Sequence, residues 1–138
     1  MKTVVVDADS IIAQANKNDS NYSKATKVSR DLMKSDVEML YPVTAISEAI
    51  TVLQSKLNSL PTAIGTASVF ADQNYKIIEI NHELYNNAVE KYFSHVTNKN
   101  DTIFDCIVAS VAEKYNADAI FSFDKFYQKL GFRLASEL

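Results

Sequence analysis

The sequence is poor in the residues that interrupt or cross-link a chain. Among its 138 residues there are two glycines, two prolines and one cysteine. Two glycines are too few for a glycine-rich phosphate loop of the Walker or dinucleotide-binding type, and so few breakers leave little room for flexible linkers or multiple hairpins. The single Cys106 can form no internal disulfide, which favours a reducing compartment, and its apolar surroundings predict a buried thiol.

An excess of positive charge is also missing. The 14 basic and 17 acidic residues give a net charge of −3, which argues against a general nucleic-acid coat protein but not against an enzyme with a local basic rim. One lysine and a short apolar run precede two acids at the start of the chain, which predicts neither a signal peptide nor a membrane span. We therefore expect a cytoplasmic protein with no membrane partner, and the length predicts a single domain, residues 1–138.

Apolar patterning predicts strands that alternate with helices. The predicted strands lie at residues 4–6, 37–43, 76–80, 118–121 and 132–134. The predicted helices lie at residues 10–18, 22–34, 44–57, 82–95, 102–115 and 125–130, with one more that begins at Pro61. This alternation predicts an α/β fold, a three-layer α/β/α sandwich in which a mainly parallel sheet of about five strands has helices on both faces.

The helix that begins at Pro61 has a face of small and apolar residues, formed by Ile64, Ala67, Ser68 and Ala71. Such a face predicts close packing against a neighbouring element. We expect that neighbour to lie within the same chain, and a contact between subunits is the alternative.

The first predicted strand ends in a carboxylate. Residues 4–6 are three valines, and Asp7-Ala8-Asp9-Ser10 follows them directly. A β-branched run without alternation is typical of a strand that is buried on both faces. Ligands of open α/β sheets bind outside the carboxyl ends of the strands, which makes Asp7 a site candidate. The structural alternative is a helix cap supplied by Asp9 or Ser10.

Three further acids have comparable positions. Glu48 lies just past the second predicted strand, Asp124 lies just past the fourth, and Asp105 is in the first turn of the helix that leads into the fourth. Each has its own structural explanation, which is solvation for Glu48, the helix dipole for Asp105 and a helix cap for Asp124. In a parallel sheet, however, strand ends and the starts of the helices that lead into strands share one edge. We therefore predict that these acids and Asp7 form one site.

Clustered carboxylates predict a divalent cation. At an effective dielectric constant of about 20, two unit charges about 5 Å apart repel by roughly 3 kcal/mol, so the acids need either protons or a bound cation. Mg²⁺ and Mn²⁺ prefer oxygen ligands, and the sequence has no cysteine and histidine set with the spacing of a zinc site. One or two such cations would suit the in-line hydrolysis of a phosphodiester.

Four segments of the sequence resemble the motifs of the PIN domain family, and in particular its compact ribonuclease toxins from toxin–antitoxin modules. The segments are residues 4–9, 42–52, 104–109 and 119–126, and each contains one of the four acids. The resemblance covers essentially the whole chain and implies a PIN-like sheet of strand order 3-2-1-4-5. It also implies metal-dependent endoribonuclease activity on an RNA substrate, a homodimer, and often a cognate antitoxin that covers the cleft.

The resemblance also implies roles for particular residues. It makes four acids both the catalytic residues and the ligands of Mg²⁺ or Mn²⁺, namely Asp7, Glu48, Asp105 and Asp124. Asp7 and Asp105 would be the principal ligands. Ser122 matches a position where the family often has a small hydroxyl residue, which would support the acids or the attacking water. Asp9 stands where Asn, Ser or Thr is common, so it either adds a supporting charge or only caps the helix.

Two other interpretations remain open. Asp7-Ala8-Asp9 is similar to the Asp-x-Asp start of haloacid-dehalogenase-like phosphatases, in which the first Asp is the nucleophile. That family has Thr or Val two residues after the second Asp, where this chain has Ile11. It also needs a later acidic pair, which Asp124 alone does not supply. The second alternative is a non-catalytic PIN-like module that binds RNA or acts as a scaffold, and whose acids serve folding only.

Overall fold

The structure is a computed structural model that describes residues 1–138. Four strands form one sheet, and they are Lys2–Val6 (β1), Val37–Pro42 (β2), Lys76–Ile78 (β3) and Ala119–Phe121 (β4). All neighbouring strands are parallel, and their order across the sheet is β3-β2-β1-β4. The predicted α/β class and the predicted order of the first four strands are confirmed.

Seven α-helices connect and cover the strands. They are Ala8–Ala15 (α1), Tyr22–Met33 (α2), Val43–Thr51 (α3), Leu60–Phe70 (α4), His82–Asn87 (α5), Ile103–Lys114 (α6) and Phe126–Lys129 (α7). The π-helical turn Val52–Lys56 extends α3, and the turns Ala88–Tyr92 and Phe93–His95 extend α5, so both reach nearly the predicted lengths. None of the helices has the length and apolar character needed to cross a membrane.

β1 lies at the centre of the sheet because its side chains are apolar on both faces. Val4, Val5 and Val6 are fully buried within a core cluster of 29 residues. The ladder between β1 and β4 continues one residue past the strand, since the Asp7 N–H donates to the Phe121 carbonyl at 3.0 Å. The backbone of Asp7 is therefore fixed at the end of the central strand.

α1 begins directly after β1, earlier than the predicted residue 10. Its N-cap is Asp7, whose Oδ1 accepts a hydrogen bond from the Ala8 N–H at 2.7 Å. The expectation that Asp9 or Ser10 caps this helix is wrong, because both already lie in its first turn. One acid thus ends the strand and starts the helix, with no linker between them.

The predicted fifth strand, at residues 132–134, is reduced to a single bridge. Leu134 pairs in parallel with Ile120 of β4. Gly131 has a φ of 94°, which turns the chain just before this segment, and the 3₁₀ turn Ala135–Glu137 follows it at once. The segment is therefore too short for a ladder, but its bridge lies beside β4, where the predicted order places the fifth strand.

The small-residue face of α4 does not pack inside the molecule. Ile64 is 57 % exposed, and Ala67, Ser68 and Ala71 are exposed as well. Only Ala63 of this helix is buried, and α4 packs against α3 and the turn that extends it. The prediction of close packing by this face within the chain is wrong, and the face is left open to solvent.

Candidate active site

Asp7 is the one fully buried acid of the chain, with 3 % of its surface exposed. Three groups donate hydrogen bonds to its carboxylate. Oδ1 accepts from the Ala8 N–H, and Oδ2 accepts from the hydroxyls of Ser122 and Tyr127, each at 2.9 Å. Because both oxygens have donors, the orientation of this carboxylate is fixed by the end of β1, the start of α1 and the segment after β4.

Ser122 links Asp7 to Asp9. Its hydroxyl oxygen lies 2.9 Å from Asp7 Oδ2 and 3.0 Å from Asp9 Oδ2, and it accepts from the Asp124 N–H at 3.1 Å. Asp9 Oδ2 also accepts from the Phe123 N–H at 2.8 Å. Both residues predicted to support the site therefore lie against the acid at the end of β1, and Asp9 anchors the segment after β4 rather than a helix start.

Three acids form one tight carboxylate group. Asp101, Asp105 and Asp124 each place a carboxylate oxygen within 4.8 Å of the other two. Asp105 Oδ2 accepts from the N–H (2.9 Å) and the hydroxyl (3.3 Å) of Thr102, in a capping box at the start of α6. Asp124 Oδ1 accepts from the Phe126 N–H at 2.9 Å, at the start of α7. Two members of this group are predicted site residues, and Asp101 is an addition.

Glu48 faces the site from α3. Burial raises the pKa of Glu48 to about 7, and the charges of Asp105 and then Asp9 contribute to the rise. α3, which carries Glu48, packs against α1 and α6, the helices of Asp9 and Asp105, although neither Glu48 nor Asp7 belongs to the tight group of three. The four predicted acids therefore lie at one edge of the sheet, with Asp105 and Asp124 in direct proximity and the other two beside them.

Asp7, Asp9 and Asp105 also have raised pKa values. Burial is the largest cause of the raised pKa of Asp7, and the charges of Asp9 and Asp105 raise it further. Burial raises the pKa of Asp9 to about 6 and raises that of Asp105 as well. Clustered, partly buried carboxylates with raised pKa values are typical of functional sites, because a bound cation offsets the repulsion between their charges.

Two buried side-chain oxygens near this edge have no hydrogen-bond partner. They are Asp9 Oδ1 and Thr44 Oγ1, and no other buried side-chain nitrogen or oxygen of the chain lacks a partner. Asp9 lies in the first turn of α1, and Thr44 lies in the first turn of α3, which begins one residue earlier than predicted. Buried polar atoms normally have a partner, and Asp9 contacts the site through Ser122, so its unpartnered Oδ1 indicates a water or a ligand there.

Sequence patterns do not reveal all of these groups. Asp101 lies in a polar loop without periodicity, and Tyr127 lies in a four-residue helix, where an aromatic residue is typical of the core. The spacing of four between Asp101 and Asp105 is the one available signal, since residues four apart share a helix face. That signal is weak here because α6 begins only at Ile103.

The PIN domain family model matches residues 4–133. The chain belongs to the PIN domain family. This membership confirms the family suggested by the four acidic segments. It also supports the expected class of enzyme, a nuclease, for which the acids at the sheet edge are the candidate machinery.

Two solved structures resemble this PIN domain. VapC20 from Mycobacterium tuberculosis, a toxin that cleaves the sarcin–ricin loop, matches with a TM-score of 0.82 and 16 % identity, over 94 % of this chain and 95 % of that one. VapBC2 from Rickettsia felis, bound to a DNA fragment from its promoter, matches with a TM-score of 0.63 and 12 % identity, over 96 % of each chain. At these identities the similarity shows a shared fold. No curated protein matches the chain significantly by sequence.

Proposed function

We propose that this PIN domain, residues 1–138, is a metal-dependent endoribonuclease and the toxin of a toxin–antitoxin pair. The observation that carries the proposal is that a group of three acids lies at the carboxyl edge of a parallel sheet, where the buried Asp7 is held in place by hydrogen bonds to both of its oxygens. The proposed catalytic and ligating acids are Asp7, Glu48, Asp105 and Asp124. Ser122 and Asp9 support them by hydrogen bonds.

The donor set fits Mg²⁺ or Mn²⁺. Every candidate ligand is an oxygen, which is the donor that hard cations prefer. The three carboxylates within 4.8 Å of one another would otherwise repel by about 3 kcal/mol for each charged pair at an effective dielectric constant of about 20. The unpartnered Oδ1 of Asp9 adds to the fit. We infer that Asp7 and Asp105 are the principal ligands, and that Asp124, Asp101 and Glu48 complete the site.

When bound, the cation would polarise the phosphate group and lower the pKa of the attacking water. Glu48 would help to hold that cation: without metal its pKa is raised to about 7 by burial and by the charges of Asp105 and Asp9, and a bound cation would relieve that unfavourable charge. Asp7 is suited to hold a cation rather than to attack phosphorus, since it is 3 % exposed and has three hydrogen-bond donors. This burial argues against the phosphatase alternative, in which Asp7 would be the nucleophile.

The two solved structures with a similar fold support the proposed substrate and partner. VapC20 is a toxin that cleaves the sarcin–ricin loop, which supports an RNA substrate here, and VapBC2 is bound to DNA of its own promoter, which supports a DNA-binding antitoxin as the partner. We propose that exposed Lys99 and Lys125, which lie close in sequence to Asp101 and Asp124, contact RNA phosphates. The solvent-exposed, uncharged face of α4, formed by Ile64, Ala67, Ser68 and Ala71, is the proposed homodimer contact. A reducing cytoplasm is the proposed location, and it suits the free, buried thiol of Cys106.

RNA cleavage tests the proposal directly. Wild type and the variants Asp7→Asn and Asp105→Asn are incubated with single-stranded and stem–loop RNA, with Mg²⁺, with Mn²⁺ or with EDTA. We expect wild type to cut only with a metal, and each variant to lose about 100-fold or more, which corresponds to roughly 3 kcal/mol of transition-state stabilisation. Asp31→Asn is the matched control, because Asp31 is an exposed acid paired with Lys27 on α2.

Other outcomes identify the alternatives. Variants that cut as fast as wild type would show that the proposed site is wrong. Hydrolysis of a phosphomonoester without RNA cleavage would favour the phosphatase, and tight RNA binding without cleavage would favour the non-catalytic module. A chain that cuts RNA equally well in EDTA would exclude metal dependence.

A further inference from the structure

Tyr127 is a fully buried tyrosine whose hydroxyl reaches the end of β1. It is 0 % exposed, and its hydroxyl donates to Asp7 Oδ2 at 2.9 Å. The ring packs edge-on against Phe126 at a centroid distance of 5.5 Å, and the Tyr127 carbonyl accepts from the Phe132 N–H at 3.0 Å. Ring and backbone are both held, so the phenol has a fixed direction towards the carboxylate.

The position of Tyr127 is set by another acid of the site. Asp124 Oδ1 accepts from the Phe126 N–H at 2.9 Å and so begins the short helix α7, which carries Tyr127. The Asp124 N–H in turn donates to the Ser122 hydroxyl. One segment after β4 therefore places two hydroxyls and one carboxylate around the end of β1.

The two hydroxyls that reach Asp7 Oδ2 are not equivalent. Ser122 has one proton but lies within hydrogen-bond distance of both Asp7 Oδ2 (2.9 Å) and Asp9 Oδ2 (3.0 Å). When that proton is donated to Asp9, Tyr127 is the only donor that remains for Asp7 Oδ2. Tyr127 contacts no other carboxylate by its hydroxyl, so it is the dedicated donor.

The hydrogen bonds also distinguish the two oxygens of Asp7. A carboxylate oxygen has two lone-pair sites in its plane. Two hydroxyls lie against Oδ2, Tyr127 as its constant donor and Ser122 as one it shares with Asp9, whereas Oδ1 accepts only from the Ala8 N–H and keeps one site free. A cation could therefore bind Oδ1 without breaking any hydrogen bond, but could bind Oδ2 only by displacing a hydroxyl.

We propose that Tyr127 is a positioning residue that fixes the Asp7 carboxylate through Oδ2 and thereby leaves Oδ1 as the oxygen that binds the divalent cation. This inference rests on the proposed metal-dependent function. Donors that orient a ligating carboxylate commonly change metal affinity or activity by 10- to 100-fold when they are removed. The sequence does not distinguish this role from that of a core aromatic residue.

The variant Tyr127→Phe tests the assignment because it removes only the phenol oxygen. We expect its Mn²⁺ dissociation constant, measured by calorimetry without RNA, to rise by about 10-fold. RNA cleavage at low Mn²⁺ should fall by the same factor and recover at saturating Mn²⁺. Tyr92→Phe is the matched control, since Tyr92 is also buried and donates to a carboxylate, that of Glu113, outside the site. It should leave the Mn²⁺ affinity unchanged.

A crystal structure of wild type with Mn²⁺ gives a second test that does not depend on the folding of a variant. We expect the cation on Asp7 Oδ1, with the Tyr127 hydroxyl still on Oδ2. Coordination through Oδ2 or through both oxygens, or a Tyr127→Phe affinity within twofold of wild type, would overturn the role of Tyr127 while the nuclease proposal stands. A wild type that neither binds Mn²⁺ nor cuts RNA would overturn both.

Discussion

Glu48→Gln offers a quantitative test of the electrostatics of the site. The rise of the Glu48 pKa from 4.5 to about 7 corresponds to roughly 3 kcal/mol, at 1.36 kcal/mol for each pKa unit. Glu48 is only partly buried, so we discount this figure for solvent screening to about 1–2 kcal/mol. In the absence of metal, the charged carboxylate should destabilise the folded chain by that amount.

The sign of the effect depends on pH. Between about 4.5 and about 7 the folded state binds the Glu48 proton more tightly than the unfolded state, so its contribution to the free energy of unfolding falls as pH rises through this window. Below about pH 4.5 the group is neutral in both states and the penalty is absent. Glutamine is neutral at every pH, so Glu48→Gln should equal wild type near pH 4.5 and exceed it by about 1–2 kcal/mol at pH 8.

Urea unfolding followed by circular dichroism, with EDTA present at pH 4.5, 6 and 8, measures this difference. Glu90→Gln is the matched control, because Glu90 is exposed and its carboxylate takes part in no hydrogen bond or ion pair. Its stability difference from wild type should not change with pH. A Glu48→Gln difference that is constant across the pH range, or a variant less stable than wild type at pH 8, would refute the reasoning. The same variant should lose metal-dependent RNA cleavage.

Two further substitutions test the remaining acids. Asp9→Asn keeps an acceptor for the Phe123 N–H and removes a carboxylate whose pKa is raised to about 6. We therefore expect this variant to be more stable than wild type above pH 6 in EDTA, and to lose less RNA cleavage than Asp7→Asn does. An equal loss of cleavage would make Asp9 a ligand. Asp101→Asn should weaken Mn²⁺ binding by about 10-fold in calorimetry. The control Asp72→Asn, which changes an acid in an exposed turn, should leave the Mn²⁺ affinity unchanged. If Asp101→Asn binds Mn²⁺ as tightly as wild type, Asp101 is not part of the site.

The parts of the fold that depend on long apolar patterns could be predicted from the sequence. The three valines of β1 are fully buried, and the apolar α6 packs against the sheet, because a strand or helix that is apolar all round has to be covered on all sides. Parallel topology then placed the ends of β1, β2 and β4 at one edge. The positions of Asp7, Glu48 and Asp124 follow from that topology without any knowledge of side-chain contacts.

Short segments were less predictable because few residues determine their path. Residues 132–134 have the apolar pattern of a strand, but a turn at Gly131 and another at Ala135–Glu137 leave room for one bridge. Asp101 and Tyr127 lie in a loop and a four-residue helix, whose side-chain directions depend on local hydrogen bonds such as the one between Asp124 and Phe126. Periodicity carries no information about such contacts.

The structural and functional explanations of the acids are compatible with each other. Asp7 caps α1 through Oδ1, Asp105 caps α6 through Oδ2, and Asp124 begins α7 through Oδ1. In each contact the backbone N–H groups of a helix start hold one oxygen in a fixed direction. Asp105 Oδ1 and Asp124 Oδ2 accept no hydrogen bond from the protein, and Asp7 Oδ1 keeps one free site. The helix starts therefore orient the acids before any cation arrives, and this reduces the ordering that metal binding requires.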